Sequence, residues 1–196
     1  GGLLQEAVAV SNLFLDSGLI VYTKGRAAGN DYTFNADGEK SQPDYPMIVL
    51  VNGGSASAAE IVAGALQDHK RAAILGVATF GKGSVQTIMP LSDGSALKIT
   101  TSKYYTPLGK SIQAKGIEPD IVVGEPIKGH IKEKDLDGHL AEQDAKEKRP
   151  DIKDLKVLKI NEGAVKPENG EDIQLKRALD YLKSWYIFKE TTKKAA

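Results

Sequence analysis

A serine and a lysine stand out because each is framed by small residues. Ser57 lies in Gly53-Gly54-Ser55-Ala56-Ser57-Ala58-Ala59-Glu60, and Lys82 lies in Phe80-Gly81-Lys82-Gly83-Ser84-Val85-Gln86. A serine hydroxyl is a weak nucleophile until a base takes its proton. A lysine amine is such a base when its surroundings keep it neutral. The pair reads as the nucleophile and base of a serine–lysine hydrolase.

Each residue also has a plainer use. Ser57-Ala58-Ala59-Glu60 fits a capping box, with the serine capping a helix and the glutamate reaching back, and capping is the commoner use of such a serine. The same geometry serves chemistry, since an amide at a helix N-terminus, such as that of Ala58, stabilises the oxyanion of a tetrahedral intermediate. Gly54, Ala56, Ala58 and Ala59 leave room for a substrate backbone. Ser55 is a rival nucleophile, nearer the glycine turn. Neither serine sits in G-x-S-x-G, so this is not the elbow of α/β-hydrolases.

Most lysines are solvated, and only desolvation brings a lysine toward neutrality at ordinary pH. Phe80, Val85 and the adjoining apolar segments supply a candidate wall, and Gln86 is an uncharged residue able to orient the amine. Gly76 to Gly83 also matches G-x-x-x-x-G-K. It ends in glycine where a phosphate loop needs Ser or Thr for magnesium, and β-rich sequence follows instead of a helix, so nucleotide binding is disfavoured. His69 falls at a helix end, where a histidine commonly caps or is solvated, and His130 and His139 have no ligand set nearby at metal spacing. A serine–histidine–aspartate set stays open on spacing, but nothing in the sequence puts a histidine beside Ser57.

The elements that must position these residues alternate. Leu3, Leu4, Ala7, Val8, Ser11, Phe14 and Leu15 recur at helical steps, with Gly18 as the stop. Ile20 to Thr23 reads as a strand, and residues 25–38 as a polar loop or hairpin. Met47 to Val51 reads as a strand buried on both faces. Gly53 and Gly54 then turn the chain into a helix from about Ser57 to His69. Ala72 to Gly76 is a second buried strand. Val85 to Leu91 and Ala96 to Tyr105 form a hairpin at Asp93-Gly94, and residues 116–123 carry one more extended segment. This order predicts an α/β core with helices packed on a sheet.

From Gly124 the composition turns to lysine, glutamate and aspartate, so residues 125–168 read as a solvated, partly ordered extension. Leu175, Ala178, Leu179, Leu182, Trp185 and Tyr186 then share a helical face, expected to dock against the core. The domain reading is a catalytic core over 1–124, then a charged extension with a C-terminal docking helix over 125–196.

Composition narrows the partners. The 196 residues hold 26 Lys plus Arg and 26 Asp plus Glu, for zero formal net charge, and nothing in that balance points to nucleic acid. No cysteine is present, which removes disulfides, thiol nucleophiles and cysteine-ligated metals. No apolar run approaches the roughly 20 residues of a membrane helix. The chain opens on Gly1-Gly2-Leu3-Leu4, already inside a helical pattern, and reads as a fragment whose upstream part is missing. No cofactor and no metal are expected.

Several separated segments together resemble the carboxy-terminal processing proteases, also called tail-specific proteases. They are Gly1-Gly2-Leu3-Leu4, Gly54 to Asp68, Thr79 to Gln86, Lys103-Tyr104-Tyr105-Thr106-Pro107 and Gly116-Ile117-Glu118-Pro119-Asp120. The resemblance implies Ser57 as nucleophile, Lys82 as general base and Gln86 as its support. It implies Ala58 and Gly2 as oxyanion-hole amides, with Asp68 structural. It also implies a fold akin to ClpP and crotonase, and an endopeptidase acting on unstructured protein C-termini. Family members carry a peptide-binding PDZ domain upstream and work in the periplasm or another exported, membrane-associated compartment. Self-association into a homo-oligomer is left open. The alternative is a non-catalytic peptide-binding or scaffold fragment of such a protease.

Overall fold

In the computed structural model, residues 1–25, 31–39, 41–125, 129, 131–140, 160–161 and 171–193 are described. Helix α1 (Leu4–Asn12) leads into an antiparallel pair, β1 (Gly18–Gly25) and β2 (Thr33–Ala36). Strand β3 (Ile48–Val51) is followed by helix α2 (Ala58–Asp68) and strand β4 (Ala73–Gly76), with β3 and β4 parallel and in register from Ile48–Ala73 to Val51–Gly76. The hairpin strands are β5 (Ser84–Pro90) and β6 (Ala96–Tyr105). Strands β7 (Ile121–Val122) and β8 (Ile160–Asn161) and helix α3 (Ile173–Lys193) complete the order.

Two four-stranded sheets result. One is antiparallel, in the order β2-β1-β6-β5, and the other is parallel, in the order β3-β4-β7-β8. Strand β4 shows why the parallel sheet forms where it does. Ile74 and Leu75 are both fully buried, yet they face different clusters. Ile74 joins Ile61, Ala65 and Leu66 of α2, whereas Leu75 joins Ile121 and Ala178 on the α3 side. A strand covered on both faces has no polar side, so its sequence is a continuous apolar run.

The α/β core with helices on a sheet is as expected, with three differences. Strand β3 was expected to be buried on both faces, but it is an edge strand and Leu50 is 39% exposed. Helix α3 docks through Ile173, Ala178 and Tyr181, whereas Leu175, Leu179 and Tyr186 of the expected face are exposed. The contact narrows to the face that the covering strands can reach. The charged extension is also less detached than its composition implied. Residues 160–161 add the edge strand β8, and a 3-10 turn at Glu133–Asp135 packs back toward the lysine. Residues 126–128, 130, 141–159 and 162–168 of that extension, His130 included, lie outside the described residues. No helix among the described residues is long and apolar enough to cross a membrane.

Candidate active site

Ser57 and Lys82 both lie beyond the carboxyl ends of neighbouring parallel strands, where open α/β sheets form their ligand crevices. Leaving β3, the chain makes a tight turn in which Asn52 Oδ1 accepts the Gly54 N–H at 2.9 Å and Asn52 O accepts the Ser55 N–H at 2.9 Å. The Ser55 hydroxyl accepts the Asn52 N–H at 3.2 Å. The rival serine is therefore tied into the turn itself.

Ser57 follows with φ 56° and ψ −120°, outside the regions that L-residues favour. Such a conformation costs about 1–3 kcal/mol and persists only where neighbours over-determine it. The capping expectation is met by half. Glu60 reaches back to accept the Ser57 N–H at 2.8 Å, but the Glu60 N–H bonds to the Ser57 carbonyl at 2.8 Å, and the Ser57 hydroxyl makes no cap hydrogen bond.

Glu60 is the pivot of the site. It is fully buried, and its carboxylate gathers four donors. Oε2 accepts the Ser57 N–H at 2.8 Å and the Lys82 N–H at 2.9 Å. Oε1 accepts the Gly81 N–H at 2.7 Å and the Thr79 hydroxyl. Thr79 Oγ1 in turn accepts the Ile117 N–H at 2.7 Å, which ties this cluster to the chain ahead of β7. Burial pushes the Glu60 carboxyl above its ordinary value, against the pull of the bonds from Thr79, Gly81, Ser57 and Lys82. One carboxylate oxygen thus joins the backbones of the candidate nucleophile and the candidate base, which are 25 positions apart in sequence (57 to 82).

The glycines flanking Lys82 have separate reasons. Gly81 has φ +98°, which favours glycine. At Gly83 an added Cβ would lie 2.3 Å from the Gln113 backbone nitrogen, so any side chain would be driven into backbone. The segment is fixed on both sides, with Phe80 N–H on Ser55 O at 3.0 Å, Ala114 N–H on Gly81 O at 2.8 Å and Tyr104 N–H on Gly83 O at 2.7 Å. These contacts also bear on the phosphate-loop pattern. The Gly81, Lys82 and Gly83 amides that would cradle a phosphate are held by protein acceptors, and strand β5 follows instead of a helix.

The Lys82 side chain itself is half-buried, and its amine has no hydrogen-bond or ion-pair partner among the described residues. Gln86 lies exposed on β5 opposite Thr100 and makes no hydrogen bond to that amine. The structure therefore brings Ser57 and Lys82 together through their backbones and Glu60. Ala58 supplies the first amide of α2, one of those left without a partner inside a helix. Of the two N-terminal glycines, Gly1 lies against the same turn. A Cβ on Gly1 would sit 2.8 Å from Ala56 O and 3.2 Å from Ser57 Cβ, whereas the space at Gly2 is open.

Asp68 has a structural setting. It accepts the Leu108 N–H at 2.9 Å and pairs with Lys110 Nζ at 3.0 Å, pinning the turn after β6 to the end of α2. His69 Nε2 bonds to Leu19 O at 2.7 Å, and His139 Nδ1 to Leu136 O at 3.0 Å. No group of three or more His, Asp or Glu among the described residues is placed to hold a metal.

Sequence reasoning missed Glu60 as a clamp, together with Thr79 and the buried Gln113. One signal was available for Glu60. It is an acid in a helix of Ala, Ile, Val and Gly, with no lysine or arginine anywhere from Gly53 to His69. A charge in that setting is either misplaced or held by backbone donors.

Comparison with known proteins agrees with the fold. A carboxy-terminal-processing protease of Bartonella bacilliformis is 53% identical over 147 residues, 71% of this chain and 34% of that protein. A carboxyl-terminal-processing protease of Synechocystis is 48% identical over 127 residues, 65% of this chain and 29% of the relative. The solved photosystem II D1 C-terminal processing protease superposes with a TM-score of 0.58 at 42% identity, over 62% of this chain and 31% of that one. The chain spans about a third of the length of the curated relatives it matches. Residues 1–123 match the description Peptidase family S41, and the chain belongs to that family.

Proposed function

We propose that this chain carries the core of a serine endopeptidase with Ser57 as nucleophile and Lys82 as general base. The amine of Lys82 takes the hydroxyl proton as Ser57 Oγ attacks the scissile carbonyl. The amides of Ala58 and Gly2 receive the developing oxyanion. The proton then passes to the leaving amine, and water hydrolyses the acyl-enzyme by the same route in reverse. The observation that carries this reading is the shared Glu60 oxygen, which holds the Ser57 and Lys82 amides at 2.8 and 2.9 Å. A strained serine with a hydroxyl free of its cap supports it further.

The names of the relatives point to protein C-termini as substrate. The proposed substrate is an unstructured protein tail, delivered by an upstream PDZ domain of the full-length protein in an exported compartment. The test is turnover of an unstructured polypeptide with a small apolar C-terminus by the full-length protein. Ser57→Ala and Lys82→Ala should each remove cleavage while the protein stays folded. Lys82→Arg should be equally inactive, because a guanidinium does not deprotonate in proteins. Near-normal turnover in any of the three would sink the assignment, as would inhibition by a chelator that zinc reverses.

A further inference from the structure

Lys82 is held by two buried side chains, one on each flanking peptide. Its own amide is held by Glu60, and the next amide, that of Gly83, by Gln113 Oε1 at 3.1 Å. Gln113 lies in the turn after β6 and is fully buried. Its Nε2 donates to Glu133 Oε1 at 3.0 Å and to Leu140 O at 3.3 Å. Glu133 also returns to the loop directly, its N–H donating to Phe80 O at 3.2 Å. Both Glu133 and Leu140 lie beyond residue 123, where the family match ends.

A carboxamide has one accepting end and one donating end. The Gly83 N–H requires the accepting end, so the donating end must face Glu133 and Leu140. The reversed amide would set NH2 against N–H and oxygen against a carboxylate. The Glu133 charge therefore fixes the sense of Gln113, and Gln113 fixes the peptide that follows Lys82. With both flanking peptides held, the direction of the Lys82 Cα–Cβ bond is set before any substrate arrives.

We propose that Gln113 is a positioning residue for Lys82, and that the segment Lys132–Leu140 is a latch that sets its carboxamide. A stretch of the charged extension, outside the family-matched region, then takes part in holding the base. This rests on reading Lys82 as the base.

The experiment uses the full-length protein with four variants. Glu133→Ala removes one acceptor at a half-buried position and should leave the fold intact. Gln113→Glu keeps an acceptor for Gly83 but sets a carboxylate against Glu133 and the Leu140 carbonyl. Each should lower kcat about tenfold or more with KM changed less than about twofold, since a misplaced catalytic group costs rate before binding. Adding Glu133→Gln to Gln113→Glu restores a donor–acceptor pair and should recover kcat to within about threefold of the parent. Hydrogen exchange of peptides spanning residues 79–84 should quicken about tenfold in Glu133→Ala, while Lys82→Ala leaves it unchanged.

Unchanged exchange in Glu133→Ala overturns the latch. Faster exchange with kcat intact shows a contact without a positioning role, which also overturns the proposal. A failure of the double variant to recover kcat does the same. If Lys82→Ala retains turnover, the base assignment fails instead, and the exchange data still judge the latch on their own. Should Gln113→Glu fail to fold, Glu133→Ala carries the test.

Discussion

Replacing Glu60 by glutamine separates the geometry of the clamp from its charge. The new carboxamide offers one accepting end to a site that needs two. With the amide oxygen in place of Oε2, the Ser57 and Lys82 amides keep their acceptor. The NH2 group then faces Thr79 and Gly81. Thr79 Oγ1 can turn its hydrogen away and accept, so the Gly81 N–H is the one backbone amide orphaned. The opposite orientation would orphan both the Ser57 and Lys82 amides. One buried unsatisfied donor costs about 1–3 kcal/mol, so Glu60→Gln should destabilise by about that amount. Domains of this kind hold about 5–15 kcal/mol, so the variant should remain folded. Glu60→Ala orphans three buried amides, at about 3–9 kcal/mol, and leaves a cavity besides. That variant should not fold stably.

The assay is urea unfolding followed by circular dichroism, alongside turnover by the full-length protein. Glu60→Gln should lower kcat about a hundredfold as the base loop shifts, with KM nearly unchanged because a fully buried side chain meets no substrate. Losses below about 0.5 kcal/mol in both variants would show that the four bonds do not hold the site, since surface-like substitutions fall in that range.

The remaining predictions follow from the same contacts. Burial raises the Glu60 carboxyl, so the folded state holds that proton more tightly than the unfolded chain. The associated stability is fully present below the unfolded value of 4.5 and is lost as pH rises through the raised folded value. The stability gap between the parent and Glu60→Gln should therefore be wider at about pH 4 than at about pH 8, and a gap that widens with pH would reverse the sign. Gly83→Ala, with its Cβ 2.3 Å from Gln113 N, should destabilise by more than the 1–3 kcal/mol or so usual for overpacking. A parental melting temperature in that variant would refute the close approach. Asp68→Ala should cost about 1–3 kcal/mol by orphaning the Leu108 amide, whereas Lys110→Ala should cost under about 1 kcal/mol because that side chain is half exposed. Equal losses on thermal unfolding would show that the ion pair, not the amide, pins the turn.

What could be read from the sequence, and what could not, divides along a physical line. Periodicity, glycine turns and Asp93-Gly94 placed α1, α2, β4 and the β5–β6 hairpin, because those signals are local to each element. The edge position of β3 was not local. It depends on which strand pairs with β4 on its other side, and that partner, β7, comes 45 residues after Gly76 (76 to 121). The same limit applied within helix α3. Its period marked an apolar face, but only the packed sheet decides that Ala178 and Tyr181 meet it while Leu175 and Leu179 do not.

The site divides in the same way. Ser57 and Lys82 could be found because small neighbours advertise them within a few positions. The groups that hold them could not, because Glu60, Thr79 and Gln113 act across gaps of 22, 19 and 30 residues in their bonds to Lys82, Glu60 and Gly83. The candidate nucleophile and base therefore announce themselves locally, while the residues that hold them in place do not. A chain with Ser57 and Lys82 intact but Glu60 or Gln113 replaced would look complete by motif and yet have a displaced base. On the proposed reading, whether Lys82 can serve Ser57 as a base is decided by backbone hydrogen bonds to two buried side chains, neither of which attacks or deprotonates anything.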